Sequence, residues 1–259
     1  MSAKIPRHQR AFWEKMATKY PLPFEEKSLA DTIRLIEMVE ACGVRIDGVS
    51  ILDIGCGTGR QSLLLAQRAV KVLGLDFSQG MVDCFERERQ KHGIANAAVM
   101  RCAWNELDIT AQGLEKGFDI AWASMTPAMR GTDDLTRMNR CAREWCVYIG
   151  WGRTRRNPFL EEVFAAHALT FGPPPGAIAA QALLRQLGID TEVSWLESSW
   201  DWQGTEQEAV DHAAAFVESQ GDVTSDSGII REITAKFSRN GQVSCCTEAE
   251  KGVLTWRAR

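Results

Sequence analysis

Apolar positions in this chain follow two rhythms, and the switch between them marks out its elements. Val49, Ile51, Leu52 and Ile54 form a short apolar run, the pattern of a strand buried on both faces, as central parallel strands are. From Gln61 the stretch QSLLLAQRAV has helical spacing, with Leu63, Leu64 and Leu65 feeding a core face. Between the two lie Gly55, Gly57 and Gly59, which places the glycines at a strand-to-helix turn. Upstream, Ser28 followed by Asp31 predicts the start of a helix through LADTIRLIEMVEAC, whose Leu29, Ile33, Ile36 and Val39 share one face. Downstream, VKVLGLDFS reads as a second strand, and Ser78 caps a helix through MVDCFERERQKHG that stops at Gly93. AAVMRCA is a third strand, GFDIAWAS a fourth and WCVYIGWG a fifth. Strands separated by helices predict parallel β-α units with right-handed crossovers, which is an α/β doubly wound sheet with helices on both faces.

Two stretches break the alternation. The first 27 residues include FWEKMATKYPLP, too apolar for a solvated tail, so Phe12, Trp13 and Tyr20 are expected to dock on the rest of the chain. After the fifth strand comes RTRRNPFLEEVFAAHALTFGPPPG. Its proline run supports neither helix nor central strand and reads as a stiff loop.

Composition narrows the class. With 259 residues and 45% hydrophobic content, the chain is long enough to bury a large core without dividing into domains. A net charge of -4 and the lack of a basic tail argue against gripping nucleic acid phosphates. There is no apolar run near 18 residues and no signal-peptide core after MSAKIPRHQR, so no membrane partner and a cytoplasmic location are expected. The eight cysteines include no CxxC pair and no cysteine-histidine cluster; reduced, buried thiols and no metal site are expected. Cys245 and Cys246, adjacent in VSCC, should sit on a strand and face opposite sides.

Glycine spacing selects the ligand. A dinucleotide fingerprint would place its third glycine where Arg60 stands, and a long side chain there spoils close helix-to-strand packing. The observed Asp-x-Gly-x-Gly-x-Gly pattern, VSILDIGCGTGR over residues 49–60, instead resembles the first motif of class I S-adenosylmethionine-dependent methyltransferases, the Rossmann-like superfamily. Asp76, at the end of the second strand and 17 residues after Gly59, adds an acid able to accept both hydroxyls of a ribose.

That resemblance implies a seven-stranded sheet, mostly parallel with an antiparallel last strand, the sixth and seventh strands supplied by TEVSWLESSW and KGVLTWRA and the helix between them by SGIIREITAKF. It divides a single domain spanning 1–259 into an N-terminal lid segment (1–27), a cofactor-binding half (28–152), a variable insertion (153–190) and C-terminal strands and helices (191–259). It implies S-adenosylmethionine as cofactor, with S-adenosylhomocysteine as product. Asp53 would support the turn and the cofactor's amino group, Gly55, Cys56, Gly57 and Gly59 would approach the methionine portion, Asp76 would bind ribose, and Phe77 and Met81 would flank adenine. The family's acid after the third strand is missing, replaced by Cys102, Ala103 and Trp104. Trp104 is either a purine-stacking ring or a half-buried structural aromatic.

After the fourth strand, ASMTPAMRG lacks the Asn/Asp-Pro-Pro-aromatic signature of enzymes that methylate a planar nitrogen, which argues against adenine, cytosine or glutamine amide acceptors. Ser124, Met125, Thr126 and Pro127 still sit where the loop would face the transferred methyl; Ser124 and Thr126 either orient the acceptor or only bond the backbone of a turn. Trp13, Tyr20 and Trp151 complete the candidate acceptor walls. A sulfonium methyl is already activated, so alignment and water exclusion carry most of the chemistry. No base is obvious; Tyr20 and His167 are the candidates, His167 reading equally as a packing residue. Between 130 and 156 stand seven arginines against Asp133, Asp134 and Glu144. They form either a solvated face or, through Arg153, Arg155 or Arg156, a hold on an anionic acceptor. The reading that results is methyl transfer to a small molecule. An RNA or protein methyltransferase and a non-catalytic cofactor-binding regulator are the alternatives, and oligomeric state is not encoded legibly.

Overall fold

Every residue from Ile51 to Ile54 is buried in β1 (Ser50–Ile54), and alternate side chains feed different cores. Ile51 packs with Leu35, Val39 and Leu63, whereas Leu52 and Ile54 pack with Leu75, Trp104 and Met138. That two-sided burial is what an uninterrupted apolar run requires of a central strand. The computed structural model describes residues 7–221 and 223–259; residues 1–6 of the predicted N-terminal lid lie outside the described residues.

The helices are α1 (Arg7–Met16), α2 (Glu26–Ala41), α3 (Ser62–Leu65), α4 (Gln79–Lys91), α5 (Thr132–Cys141), α6 (Pro158–Ala166), α7 (Ala177–Gln186), α8 (Glu206–Glu218) and α9 (Ser227–Phe237). The remaining strands are β2 (Lys71–Asp76), β3 (Ala97–Arg101), β4 (Phe118–Ser124), β5 (Ala142–Arg156), β6 (Glu192–Thr205), β7 (Ser238–Arg239) and β8 (Gln242–Arg257). Strand order is β3-β2-β1-β4-β5-β8-β6, with the two-residue β7 pairing β8. The first five strands run parallel. β8 is antiparallel to β5, the Ala258 N–H bonding Glu144 O just past the end of one strand and near the start of the other. The expected doubly wound sheet is present, with the short β7 as an eighth strand.

Two compact units emerge from the chain: 1–150 with 175–196 and 252–259, and 151–174 with 197–251. The first holds β1 to β4 and helices α1 to α5 and α7. The second has its own core, in which Phe159, Leu160 and Val163 of α6 pack with Val210 and Val217 of α8, Ile230 and Ile233 of α9 and Val243 of β8. Its helices start on strong local signals. Asn157 accepts from Leu160 N at 2.9 Å with Pro158 following, Thr205 and Glu208 form a capping box, and Asp226 accepts from Gly228 N and Ile229 N.

Some boundaries differ from those predicted. α2 begins at Glu26, not at Ser28, because Glu25 is already extended and its carbonyl accepts from Leu29 N. Ser28 is therefore inside the helix, and Asp31 pairs with Arg60 at 3.4 Å instead of closing a capping box. The predicted insertion from residue 153 starts as strand, because β5 runs on to Arg156, where the Arg153 guanidinium and backbone N–H meet Glu250 of β8. The VSCC stretch belongs to β8, with Cys245 buried and Cys246 exposed as alternation demands. All eight cysteines are free. Among the described residues no His, Cys, Asp or Glu cluster suits a metal ion, and no helix is long and apolar enough to cross a membrane.

Candidate active site

The three glycines at the carboxyl end of β1 do different work. All have positive φ, but a β-carbon on Gly55 would overlap the Thr126 side chain, and one on Gly59 would lie 2.7 Å from the Phe85 ring. Those two serve close packing inside the protein. Gly57, at φ +56°, would place a β-carbon without overlap, in ordinary van der Waals contact with Met81 Sδ and Tyr20 Cε1, both at 3.9 Å. Gly57 is the backbone position of the turn that a ligand can approach. Cys56 is turned away: its sulfur lies 2.6 Å from where Gly74 would carry a β-carbon on β2, so only its backbone faces the turn's outer side.

Two carboxyl groups flank this opening. Asp76 closes β2 with Oδ2 accepting from Gly57 N at 3.0 Å and Oδ1 from Ser78 N at 2.9 Å. Each oxygen keeps a lone pair for a further donor, which suits a pair of vicinal hydroxyls. Burial raises the Asp76 pKa above the usual carboxylate range, opposed by these N–H donors. Replacing Asp76 by alanine is expected to weaken S-adenosylmethionine binding by about 1.5–3 kcal/mol, the range for hydrogen bonds to a charged group. Titration calorimetry reads this directly, and unchanged affinity would refute ribose binding at this residue.

Asp53 is almost fully buried beneath the turn, its Oδ2 accepting from Ser62 Oγ at 2.6 Å. Desolvation pushes its pKa up to about 7, the Ser62 hydroxyl opposing and Asp76 adding to the rise. Because the folded state holds this proton more tightly than the unfolded chain, Asp53 makes the ligand-free protein lose stability as pH rises from about 4 to about 7. The loss is on the order of a few kcal/mol. Unfolding curves between pH 5 and 8 should therefore fall more steeply for the wild type than for Asp53→Asn; parallel profiles would mean that Asp53 titrates normally.

The segment before β1 closes over this ground. Glu14 of α1 caps α4 through Gln79 N at 2.8 Å and Gly80 N at 2.9 Å. Although desolvation works against it, the Gly80 and Gln79 donors hold its carboxyl below the ordinary value. Gly80 lets Ala17 approach, Cys84 Sγ contacts Ala17 O at 3.5 Å, and Thr58 Oγ1 donates to Pro21 O at 2.9 Å. Arg10 bridges to Glu106 at 2.9 Å and lies over Phe77 at 5.9 Å. Trp13 stands edge-on to Phe12 and to Tyr20, with ring centroids 5.3 and 5.9 Å apart. Burial raises the Tyr20 pKa, Arg60 opposing and Asp76 adding, so its phenol is held protonated.

On the β4 side, Ser124 Oγ accepts from Gln61 Nε2 at 2.7 Å, and Gln61 Oε1 accepts from the buried Trp122 indole at 2.5 Å. Gln61 thus ties β4 to the glycine turn, a link that sequence reasoning missed; its place directly after the glycines was the available signal. Met125 has φ +49° and packs on the core beside β1, Thr126 accepts from Ala128 N at 3.2 Å, and Pro127 is exposed. Thr126 thus bonds the backbone of its own turn, whereas Ser124 bonds the Gln61 side chain.

Other candidates are placed less favourably. Met81 is buried and borders Gly57, and Phe77 is half-buried. Ala103 is buried, and Trp104 is 4% exposed, packed in the same core as Leu52 and Leu75 with the Arg137 guanidinium 4.6 Å from its ring. Its structural reading is favoured, since a covered ring has no free face for a purine. His167 caps the end of α6 with Nδ1 2.8 Å from Val163 O and Nε2 accepting from Asp226 N at 2.9 Å. Both ring nitrogens are occupied in tying α6 to the start of α9, which removes His167 as a catalytic base. Trp151 belongs to the second compact unit, 6.2 Å from Trp200.

This sheet order, with the glycine turn after β1 and the acid after β2, is the arrangement that the class I S-adenosylmethionine-dependent methyltransferases of the Rossmann-like superfamily share, and the chain is similar to them. A sequence profile described as a methyltransferase domain matches residues 51–147. An uncharacterised protein of Haemophilus influenzae is 29% identical over 187 residues, 72% of this chain and 66% of that protein. A demethylmenaquinone methyltransferase of Beutenbergia cavernae is 28% identical over 138 residues, 53% of this chain and 55% of its own length. The chain thus spans about two thirds or less of these curated relatives. Magnesium protoporphyrin IX methyltransferase from Synechocystis, solved with bound S-adenosylmethionine, shares the fold at a TM-score of 0.51 and 14% identity, covering 96% of this chain and 99% of that one. The open Gly57 face and the spare lone pairs of Asp76 fit the S-adenosylmethionine that the Synechocystis structure holds.

Proposed function

We propose that the protein transfers the methyl group of S-adenosylmethionine to a small-molecule acceptor by direct in-line displacement. The observation that carries this reading is the aromatic cover beside Gly57: Tyr20 stands next to the space a β-carbon of Gly57 would take and Trp13 packs against Tyr20, both on a segment anchored to α4 by Glu14. Aromatic rings beside the glycine turn would wall an opening that admits a small molecule and excludes water and folded macromolecules. Among the relatives, a demethylmenaquinone methyltransferase is named for a small-molecule acceptor and a tRNA/tmRNA methyltransferase for RNA, so the reading rests on the aromatic cover.

When bound, the cofactor supplies an activated methyl that needs alignment more than acid-base assistance. Gly57 would admit it, Asp76 would hold the ribose hydroxyls, Asp53 would favour the cationic amino group from beneath the turn, and Phe77 and Met81 would flank the adenine. Tyr20 would donate its hydroxyl proton in a hydrogen bond while its ring excludes water.

Release of S-adenosylhomocysteine should appear with a low-molecular-weight metabolite fraction and not with RNA or folded-protein fractions. Turnover confined to RNA or protein would overturn the small-molecule reading. Cofactor binding without turnover in any fraction would make the chain a binding protein.

A further inference from the structure

The seven arginines between 130 and 156 are not alike once folded. Arg153 pairs with Glu250 and Arg156 with Glu161 at 2.6 Å, each exposed and neutralised. Arg155, between them on β5, has no ion pair with any described residue. Instead its guanidinium lies 4.6 Å from the Trp151 ring, 4.7 Å from Phe171 and 5.5 Å from Phe216. All four residues belong to the second compact unit. Arg155 Nε has no accessible surface and no hydrogen-bond partner among the described residues.

Ring faces stabilise a guanidinium through its charge but offer no acceptor for its N–H groups. An orphaned donor on a cation is the costliest kind of unsatisfied group to bury. Burial alone pulls the Arg155 pKa down to about 10, with no neighbouring acid to offset it. The charge is therefore held ready and uncompensated. Arg155, Trp151, Phe171 and Phe216 are all only half-buried, so the cluster is reachable from solvent.

We propose that Arg155 is the anion-recognising centre of a ligand site in this unit, which takes a small molecule carrying a carboxylate on an aromatic frame. A planar guanidinium fork matches a planar carboxylate, and Trp151, Phe171 and Phe216 supply apolar rings for the body of the ligand. One uncompensated positive charge suits a monoanion. A phosphate dianion would call on a second cation, and the adjacent Arg153 and Arg156 are already paired with carboxylates. The site concerns binding and does not depend on methyl transfer.

The test uses the full-length protein without S-adenosylmethionine, titrated with benzoate and with its neutral isostere benzamide while tryptophan fluorescence and calorimetry are followed. Benzoate is expected to bind saturably and at least tenfold more tightly than benzamide, and inorganic phosphate at equal concentration is expected not to displace it. Arg155→Lys and Arg155→Gln should each lose at least tenfold in benzoate affinity, with Arg156→Gln unchanged. Equal binding of the two probes, equal displacement by phosphate, or full benzoate affinity in a folded Arg155→Gln protein would each overturn the proposal. Should Arg155→Gln fail to fold, the charge comparison in the wild type and the lysine variant decides. Cofactor affinity measured separately keeps failure here distinct from failure of the methyl-transfer reading.

Discussion

Replacing Gly57 with valine is expected to raise the dissociation constant for S-adenosylmethionine at least about a hundredfold, some 2.7 kcal/mol, with the sheet still folded. The substituted side chain would enter the space between Tyr20 and Met81, where the ligand must come closest to the backbone. A β-branched residue at φ +56° also carries a local strain of about 1–2 kcal/mol, a modest part of a typical domain's stability. Gly59→Ala is the contrasting variant, because its new carbon would strike Phe85 at 2.7 Å in the core and destabilise the fold itself. Calorimetry with circular dichroism separates the two outcomes. Micromolar cofactor binding by a well-folded Gly57→Val protein would place the ligand elsewhere.

Removal of residues 1–24 should weaken cofactor binding at least about tenfold, or 1.4 kcal/mol, and abolish most turnover. The deletion takes away Tyr20 and Trp13 beside Gly57, and the Glu14 cap on α4. Far-ultraviolet dichroism should lose only the share of α1, since α2 begins at Glu26 and β1 at Ser50. Stability should fall by about 1–3 kcal/mol through the lost contacts of buried Ala17 and of Phe24 on the core. Unimpaired binding and turnover would show that the segment is no lid, and would favour a larger acceptor such as RNA or protein.

The strands and the glycine turn were legible because they rest on local patterns. An apolar run of four to seven residues bounded by glycine and acid has few other solutions, and Ser78 announces α4 by a bond to Met81 N at 3.2 Å within its own first turn. Where a boundary depended on distant partners, local signals misled. Ser28 and Asp31 mimic a helix start, but Arg60 claims Asp31 from across the turn. RTRR looks like a basic loop, yet Glu250 of β8 keeps Arg153 in strand.

The sequence by itself determined the doubly wound order of elements, the place of the glycine turn and the acid at the end of β2, because each is written within a few neighbouring residues. Tertiary structure alone decided which of three glycines is open, since that depends on Thr126 and Phe85 arriving from elsewhere in the chain. It also decided that Trp104 is covered by Arg137, that His167 is spent on Val163 and Asp226, and that of three clustered arginines Arg155 is left without an acid. Residue type limits what a side chain can do, but burial and the partners brought by long-range packing determine whether it is free to do it.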